Sequence, residues 1–378
     1  MSAVLDLARE LISRPSLTPL DCGCQAIIAE PLQEMGCSVE WIYAGDVSNI
    51  FISHGHGHPR VMLLGHTDVV PTGPLEDWTS PPFEPVERDG CLFGRGSADM
   101  KGSVAAMSIA MQRYIQEHPD HPGTISLLLT SDEEGPSTHG VRVVAELLKQ
   151  RGETPDYCLV GEPSSIDELG DTVRIGRRGT INAALTVHGV QGHTAYSDRV
   201  VNPVHLLSPL LAELTTIRWD EGTDHFPPTS VQVSNFNAGT GATNVTPGHA
   251  SVLFNFRNSP ASHAHVLKDK VIELVGKYQI AHYDLDWNVS GEPFFTEPGR
   301  LSNAVSDAIE AVLQRRPVLD TGGGTSDGRF IAPLDAEVVE AGPINMSIHK
   351  IDEHVRIEDL DNITEIYYES LVRLLESS

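Results

Sequence analysis

Three stretches of this 378-residue chain, at residues 61–64, 125–130 and 157–160, are short, apolar or β-branched throughout save Ser126, and closely followed by a histidine or an acidic residue. They are too short for ordinary helices, and the lack of alternation marks strands covered on both faces. Helical patterns separate them. Residues 103–116 carry Val104, Met107, Met111 and Ile115 on one face, and residues 141–149 carry Val141, Val144, Ala145 and Leu148, closed by Gly152. Two earlier helices are expected over 5–12 and 24–35, stopped by Ser13-Arg14-Pro15 and by Gly36. Proline disfavours a helical residue before it, and glycine suits the left-handed helix end. Strands alternating with helices imply an α/β unit around a mainly parallel sheet. Sites in such sheets lie beyond the carboxyl ends of the strands, so the residues after each run are the first place to look for chemistry.

From about Arg178 to Gly291 the pattern changes. In Ile181-Asn182-Ala183-Ala184-Leu185-Thr186-Val187 and Ser251-Val252-Leu253-Phe254-Asn255-Phe256, apolar residues alternate with polar ones. That is the pattern of an antiparallel sheet with one covered face, and helical stretches over 203–216 and 263–278 are available to cover it. After Pro293 the α/β pattern returns with a helix over 301–314, a strand over 337–340 and a closing helix over 357–375. The expected organisation is an α/β catalytic domain in two parts, residues 1–177 and 292–378, interrupted by a smaller α+β domain at residues 178–291.

The chain carries 26 Lys and Arg against 52 Asp and Glu, a net charge of −26 with histidines neutral. Nucleic-acid backbones and anionic membranes reward clusters of Lys and Arg, so neither is expected as a partner. No run approaches the roughly 20 consecutive apolar residues of a bilayer-spanning helix. The first 20 residues lack the basic segment and apolar core of a secretory leader, so a cytoplasmic location is expected. Five scattered cysteines, an odd number, read as reduced thiols, and Cys22-x-Cys24 has no second pair with which to build a structural zinc site. Residues 178–291 hold 7 basic and 9 acidic residues, so almost all the acidic excess belongs to the α/β body.

The first run leads into Gly65-His66-Thr67-Asp68, the second into Ser131-Asp132-Glu133-Glu134-Gly135, and the third into Gly161-Glu162. A solvated loop explains any one of these and explains the set poorly. In extended chain His66 and Asp68 point to one side, which lets the carboxylate bond the imidazole and fix its tautomer. Glu133 and Glu134 point apart, so one can reach a metal while the other acts on the water beside it. Asp99, in Gly94-Arg95-Gly96-Ser97-Ala98-Asp99-Met100-Lys101-Gly102, adds a carboxylate just before a helix, where a plain N-cap is the ordinary explanation. Ile348-His349-Lys350 offers a second histidine. Gly322-Gly323-Gly324 lacks the Gly-Lys-Ser/Thr of a phosphate loop, so nucleotide binding is not expected.

The motifs His66-Thr67-Asp68-Val69-Val70-Pro71, Gly94 to Gly102, Ser131 to Gly135, Gly161-Glu162-Pro163 and His349-Lys350 agree in order and spacing with one superfamily. The chain resembles the di-zinc aminoacylases and carboxypeptidases, the M20-type metallopeptidases, from residue 66 to residue 350. Within that group it resembles the succinyl-diaminopimelate desuccinylase family. The carrying residues are Arg14-Pro15-Ser16-Leu17-Thr18-Pro19, Gly176-Arg177-Arg178-Gly179, Gln191-Gly192-His193-Thr194-Ala195-Tyr196, Gly323 to Phe330, and Gly342-Pro343-Ile344-Asn345. Met346-Ser347 departs from the smaller residues usual there, which bears on fine substrate preference and leaves the metal motifs intact.

The resemblance implies two Zn²⁺ per subunit, replaceable by Co²⁺. Asp99 would bridge them, His66 and Glu162 would complete one site, and His349 and Glu134 the other, with Asp68 orienting His66. It further implies Glu133 as general base, a cis peptide after Asp99, and a homodimer built through the inserted lid domain. His193 would donate to the developing oxyanion from the other subunit, although a lone histidine near glycine is otherwise an ordinary surface or capping residue. The implied reaction is hydrolysis of the amide of N-succinyl-LL-2,6-diaminopimelate, a small succinylated amino acid, to succinate and LL-2,6-diaminopimelate in lysine and cell-wall biosynthesis. Its carboxylates call for Arg177, Arg178, Arg257 and Arg329, since guanidinium pairs bidentately with carboxylate. By similarity Tyr196, Asn244, Gly324, Thr325 and Asn345 join them. One alternative is an acetylornithine deacetylase or a related N-acyl amino-acid deacylase or carboxypeptidase of the same superfamily. Another is a non-catalytic metal-binding dimeric scaffold, whose mark would be loss of the base that Glu133 supplies.

Overall fold

A computed structural model describes residues 2–376. It separates into two compact units, one comprising Met1–Gly176, Phe295–Asp320 and Ser326–Ser378, the other Arg177–Phe294 with Thr321–Thr325.

The first unit is built on an eight-stranded sheet in the order Ser38–Ala44, Val47–His56, Gly123–Thr130, Arg60–His66, Tyr157–Val160, Glu337–Glu340, Thr172–Arg174, Val318–Asp320. Arg60–His66 and Tyr157–Val160 have parallel neighbours on both sides. These central strands are the ones whose apolar runs are continuous, and every residue from Val61 to His66 is buried. The first two strands form an antiparallel hairpin, which itself joins Gly123–Thr130 in antiparallel fashion. Thr172–Arg174 runs antiparallel to Glu337–Glu340 and parallel to Val318–Asp320. The hairpin and the two outer strands carry no clear sequence signal. Ser38–Ala44 is a half-exposed edge strand, and Thr172–Arg174 and Val318–Asp320 have three residues each, too few to show a period.

Helix Gly102–Glu117 packs against Ala3–Ile12 and Ile357–Glu376. Its Val104, Met107, Met111 and Ile115 are buried as their spacing predicts, and Ala105, Ala106 and Ala110 are buried too, so the helix is enclosed on most sides. Full burial of a side chain such as Met107 is worth about 1.5–3 kcal/mol. Val141–Arg151 ends at Gly152, whose φ of 67° is the left-handed value at which glycine carries no Cβ penalty.

The second unit holds a four-stranded antiparallel sheet in the order Ser230–Ala238, His249–Asn258, Gly179–His188, Tyr283–Gly291. Ile181 lies opposite Phe256, Ala183 opposite Phe254 and Leu185 opposite Val252, and all six are buried on one face. Helices Pro203–Leu214 and Ala264–Lys277 cover that face with Leu207, Leu210, Leu214, Leu267, Val271 and Leu274. Pro203–Leu214 starts where the Asn202 side chain accepts a hydrogen bond from the Val204 amide and Pro203 takes the first helical position. Among the described residues no helix is long and apolar enough to cross a membrane, and all five cysteines are free thiols.

Candidate metal centre

The sheet of the first unit delivers three chain segments to one edge. His66 ends its strand opposite Thr130, the last residue of the adjacent strand, and Val160 ends its own strand opposite Leu64. The segments carrying His66, Glu133-Glu134 and Glu162 therefore leave the sheet side by side. Glycine before two of these residues is a packing requirement. A Cβ on Gly65 or on Gly161 would come 2.7 Å from Met100 Cε, and on Gly161 also 2.9 Å from Ser103 Cβ. Their absence lets the Asp99-Met100 segment press down onto the strand ends. A Cβ on Gly342 would meet the Glu162 carbonyl oxygen at 2.2 Å, so the strand-end loop carrying Glu162 is hemmed in from that side as well.

Asp99 sits between two imidazoles. Its Oδ1 is 3.3 Å from His66 Nε2, and its Oδ2 is 3.2 Å from His349 Nε2. Glu162 Oε1 approaches His66 Nε2 at 3.6 Å, and Glu134 Oε1 approaches His349 Nε2 at 2.9 Å. Among the described residues no side-chain cap hydrogen bond serves the start of the following helix, so the ordinary helix-cap explanation does not describe Asp99. The Asp99–Met100 peptide is cis. His349 has a φ of 59°, a left-handed conformation that costs an L-residue about 1–2 kcal/mol and that surrounding contacts must sustain.

Donor atoms of His66, Glu133 and Glu162 lie within 4.8 Å of one another, as do those of His66, Asp99 and Glu134. His66 Nε2 and Asp99 Oδ1 are buried with no hydrogen-bond partner among the described residues. A buried polar atom left so costs about 1–3 kcal/mol. Imidazole nitrogen and carboxylate oxygen together are the donor set of zinc and similar divalent ions, so the residues present fit a metal.

The electrostatics favour positive charge at the centre. Burial alone would raise the Asp99 carboxyl, yet His349 and His66 hold it well below the usual range. Bonds to Asp99 and Glu134 push His349 up to about 10. Burial opposes the protonated form of His66, but Asp99, Glu162, Asp68 and Glu133 together raise it well above its ordinary value. Glu133 is itself raised, by burial first and then by Glu162 and Asp327.

Asp68 meets His66 differently from the sequence expectation. The Nδ1 nitrogen is 2.9 Å from the Asp68 backbone carbonyl and 3.7 Å from its carboxylate. The carboxylate instead accepts hydrogen bonds from the amides of Glu133 and Glu134 at 3.3 and 3.1 Å. A carbonyl can only accept, so Nδ1 donates to it, and Nε2 is the nitrogen that faces Asp99 and Glu162, where a metal would take the place of a proton.

Arg329 is buried, with Nη1 3.9 Å from Glu133 Oε1 and Nη2 3.7 Å from Asp327 Oδ1. Asp327 was not singled out from sequence. Both its oxygens are buried without a hydrogen-bond partner among the described residues, and burial pushes its carboxyl up to about 7, against the pull of Arg329. Glu353 was also missed, and accepts hydrogen bonds from Arg95 and from the amide of Asp99. Nothing local in Ile351-Asp352-Glu353 announces that partnership. Asn345 opens a short 3₁₀ turn, its amide donating to the Ser165 carbonyl at 2.9 Å.

The other expected site residues belong to the second unit. Arg177 Nη1 donates to the Gly322 carbonyl at 2.7 Å, beside Gly324 and Thr325. Arg257 donates to Thr180 Oγ1, and its guanidinium is made less basic by burial and then by Arg178. Two cations thus lie near each other, and Arg178 Nε is buried without a partner among the described residues. His193, Tyr196 and Asn244 are exposed around a two-stranded ribbon, Gly192–His193 with Val245–Thr246. The Asn244 carbonyl accepts from the Thr194 amide at 3.1 Å, and the His193 and Tyr196 rings meet edge-on with centroids 5.7 Å apart.

Known proteins resemble this chain in sequence and in fold. A protein named succinyl-diaminopimelate desuccinylase, from Methylococcus capsulatus, is 53% identical over 375 residues, 99% of each chain. Its namesake from Stenotrophomonas maltophilia is 52% identical over 99% of this chain and 100% of its own length. In fold, an M20 family metallo-carboxypeptidase from Sulfolobus solfataricus superposes with a TM-score of 0.84 over 99% of both chains at 15% identity. The family model described as peptidase family M20/M25/M40 matches residues 62–373, a span running from the strand that ends on His66 to the last helix. The chain belongs to peptidase family M20/M25/M40.

Proposed function

We propose that this enzyme is a metal-dependent amidohydrolase that cleaves N-succinyl-LL-2,6-diaminopimelate to succinate and LL-2,6-diaminopimelate. The observation that carries the reading is the buried His66 Nε2, without a hydrogen-bond partner among the described residues and facing Asp99 and Glu162, in a chain 53% identical to a named desuccinylase. His66 and Glu162 would hold one metal, His349 and Glu134 a second, and Asp99 both. Zn²⁺ suits this set, and Co²⁺ accepts the same donors. Bound there, the metals supply Lewis-acid polarisation of the amide carbonyl and make water acidic enough to lose a proton near neutral pH.

The chain's own residues do the rest. Glu133 stands beside the cluster with a carboxyl raised above its ordinary value, which suits a base that takes a proton from the attacking water and returns it to the leaving nitrogen. Asp68 fixes the amides of Glu133 and Glu134 and so divides their directions. Arg329, against Glu133 and Asp327, keeps that acidic corner from repelling an anionic substrate. Arg177, Arg178 and Arg257, with Tyr196, Asn244, Gly324, Thr325 and Asn345, receive the substrate's carboxylates and polar groups. His193 donates to the developing oxyanion of the partner subunit's substrate in a homodimer, and its exposure on the ribbon leaves it available for that role. The α/β unit is the catalytic body and the unit around residues 178–291 the dimerising lid, in a cytoplasmic enzyme.

Succinate release from succinyl-diaminopimelate, measured beside deacetylation of acetylornithine with and without chelator, tests the reading. Succinate release that chelator abolishes and Zn²⁺ or Co²⁺ restores is the expected result. Turnover of acetylornithine in its place would reassign the substrate, and metal binding without any turnover would leave a scaffold.

A further inference from the structure

Arg95 and Glu353 form an ion pair at 2.7 Å whose side chains are 2% and 1% exposed, and the reaction described above uses neither. Glu353 Oε2 also accepts from the Gly96 amide at 3.1 Å, and Oε1 accepts from the amides of Ala98 and Asp99, both at 3.0 Å. Asp99 and Met100 leave helical angles, so this segment needs a partner for its amides from outside any regular ladder. Arg95 in turn donates from Nη1 to the carbonyl of Lys350 at 3.1 Å and from Nη2 to the carbonyl of Pro71 at 3.3 Å. Lys350 follows His349 directly, and Pro71 lies in the loop that leaves His66. One buried pair therefore ties together the three segments that carry His66, Asp99 and His349.

Such a pair adds little net stability, because removing both charges from water offsets their attraction. The carboxylate's four acceptor positions are taken by one guanidinium and three amides, so Glu353 has no capacity left to ligate a metal. We infer that Arg95 and Glu353 are positioning residues that hold His66, Asp99 and His349 at the spacing a divalent cation needs, and thereby set the metal affinity of the centre. The inference rests on the metal-centre reading above.

The test is Zn²⁺ affinity of the purified full chain, read by competition with a chromophoric chelator, together with far-UV circular dichroism. In Glu353→Gln the amide keeps one acceptor oxygen and turns its –NH₂ toward two N–H donors. Zn²⁺ affinity is expected to fall about 10–100-fold, the usual effect of losing a residue that orients metal ligands. Activity lost at limiting metal should return at saturating Zn²⁺ with KM unchanged. Arg95→Lys keeps the charge and loses the fork, with a smaller drop expected, and it decides the matter if Glu353→Gln does not fold. Parental Zn²⁺ affinity in a folded variant overturns the inference, and so does loss of fold in both, which would make the pair a general support. Failure of the parent chain itself to bind a divalent ion overturns the metal-centre reading instead.

Discussion

His66 presents Nδ1 to the backbone carbonyl of Asp68 at 2.9 Å, while the carboxylate of the same residue lies 3.7 Å away and is occupied by the amides of Glu133 and Glu134. One aspartate thus does two jobs with different atoms. Its backbone sets the imidazole tautomer, and its side chain sets the course of the chain through the two glutamates.

That division separates two effects of Asp68→Asn. The carbonyl survives the change, so the His66 tautomer should persist, with Nδ1 protonated in ¹⁵N spectra of the imidazole. The amide can no longer accept from both glutamate amides, and kcat should fall about 10–100-fold, as for other residues that orient metal ligands. A switch of His66 to the Nε2-protonated form would show that the carboxylate, and not the carbonyl, controls the ring.

Glu133→Gln should retain the parental metal content and KM while kcat falls by about 10²–10⁴, the range for removal of a general base. Metal analysis beside steady-state kinetics checks this. Loss of metal in step with activity would place Glu133 among the ligands, a role its proximity to His66 and Glu162 also permits.

Gly342→Ala should destabilise the protein by about 1–3 kcal/mol, the usual cost of overpacking. The new Cβ would face the carbonyl oxygens of Glu162 and Gly161 at 2.2 and 2.7 Å, and backbone cannot swing aside. Gly65→Ala should cost less, because its closest obstacle is the flexible end of Met100. Thermal melts of the two variants, run side by side, should rank them in that order.

Acid stability should depend on Asp220 in the second unit. Its Oδ1 accepts from the amides of Gly222 and Thr229 at 2.8 and 2.9 Å. Burial would raise its carboxyl, but bonds from Thr229, Ser262 and these amides hold it near 2, below the ordinary 3.8. A carboxyl depressed by folding contributes stability that is fully present above the unfolded value and lost as pH falls through the folded one. Asp220→Asn should therefore melt earlier than the parent at neutral pH, with the gap closing below about pH 4 and vanishing near 2. A gap that stays constant through that range would mean the bonding of Asp220 does not depend on its charge.

His66, Glu133, Glu134 and Glu162 were legible because each follows an apolar run whose strand character is a local property. The one-sided sheet of the second unit was legible for a related reason, since alternation survives wherever one face is covered. The hairpin Ser38–Ala44 with Val47–His56 was not, because the edge strand is half-exposed and carries no sustained pattern. Asp99 was ambiguous between helix cap and ligand, and the sequence did not show that two imidazoles stand against its carboxylate.

By itself the sequence determined the element types, the residues that leave each strand end, and an acidic body around a near-neutral insert, because periodicity and chain neighbours are local. Tertiary structure decided which oxygen of Asp99 faces which histidine, that Asp68 orients His66 through its backbone, and that Glu353 meets Arg95 across 258 residues of chain. Those relationships arise where loops distant in sequence are pressed together by the packing of the sheet and helices beneath them, and no local pattern encodes which donor will find which acceptor.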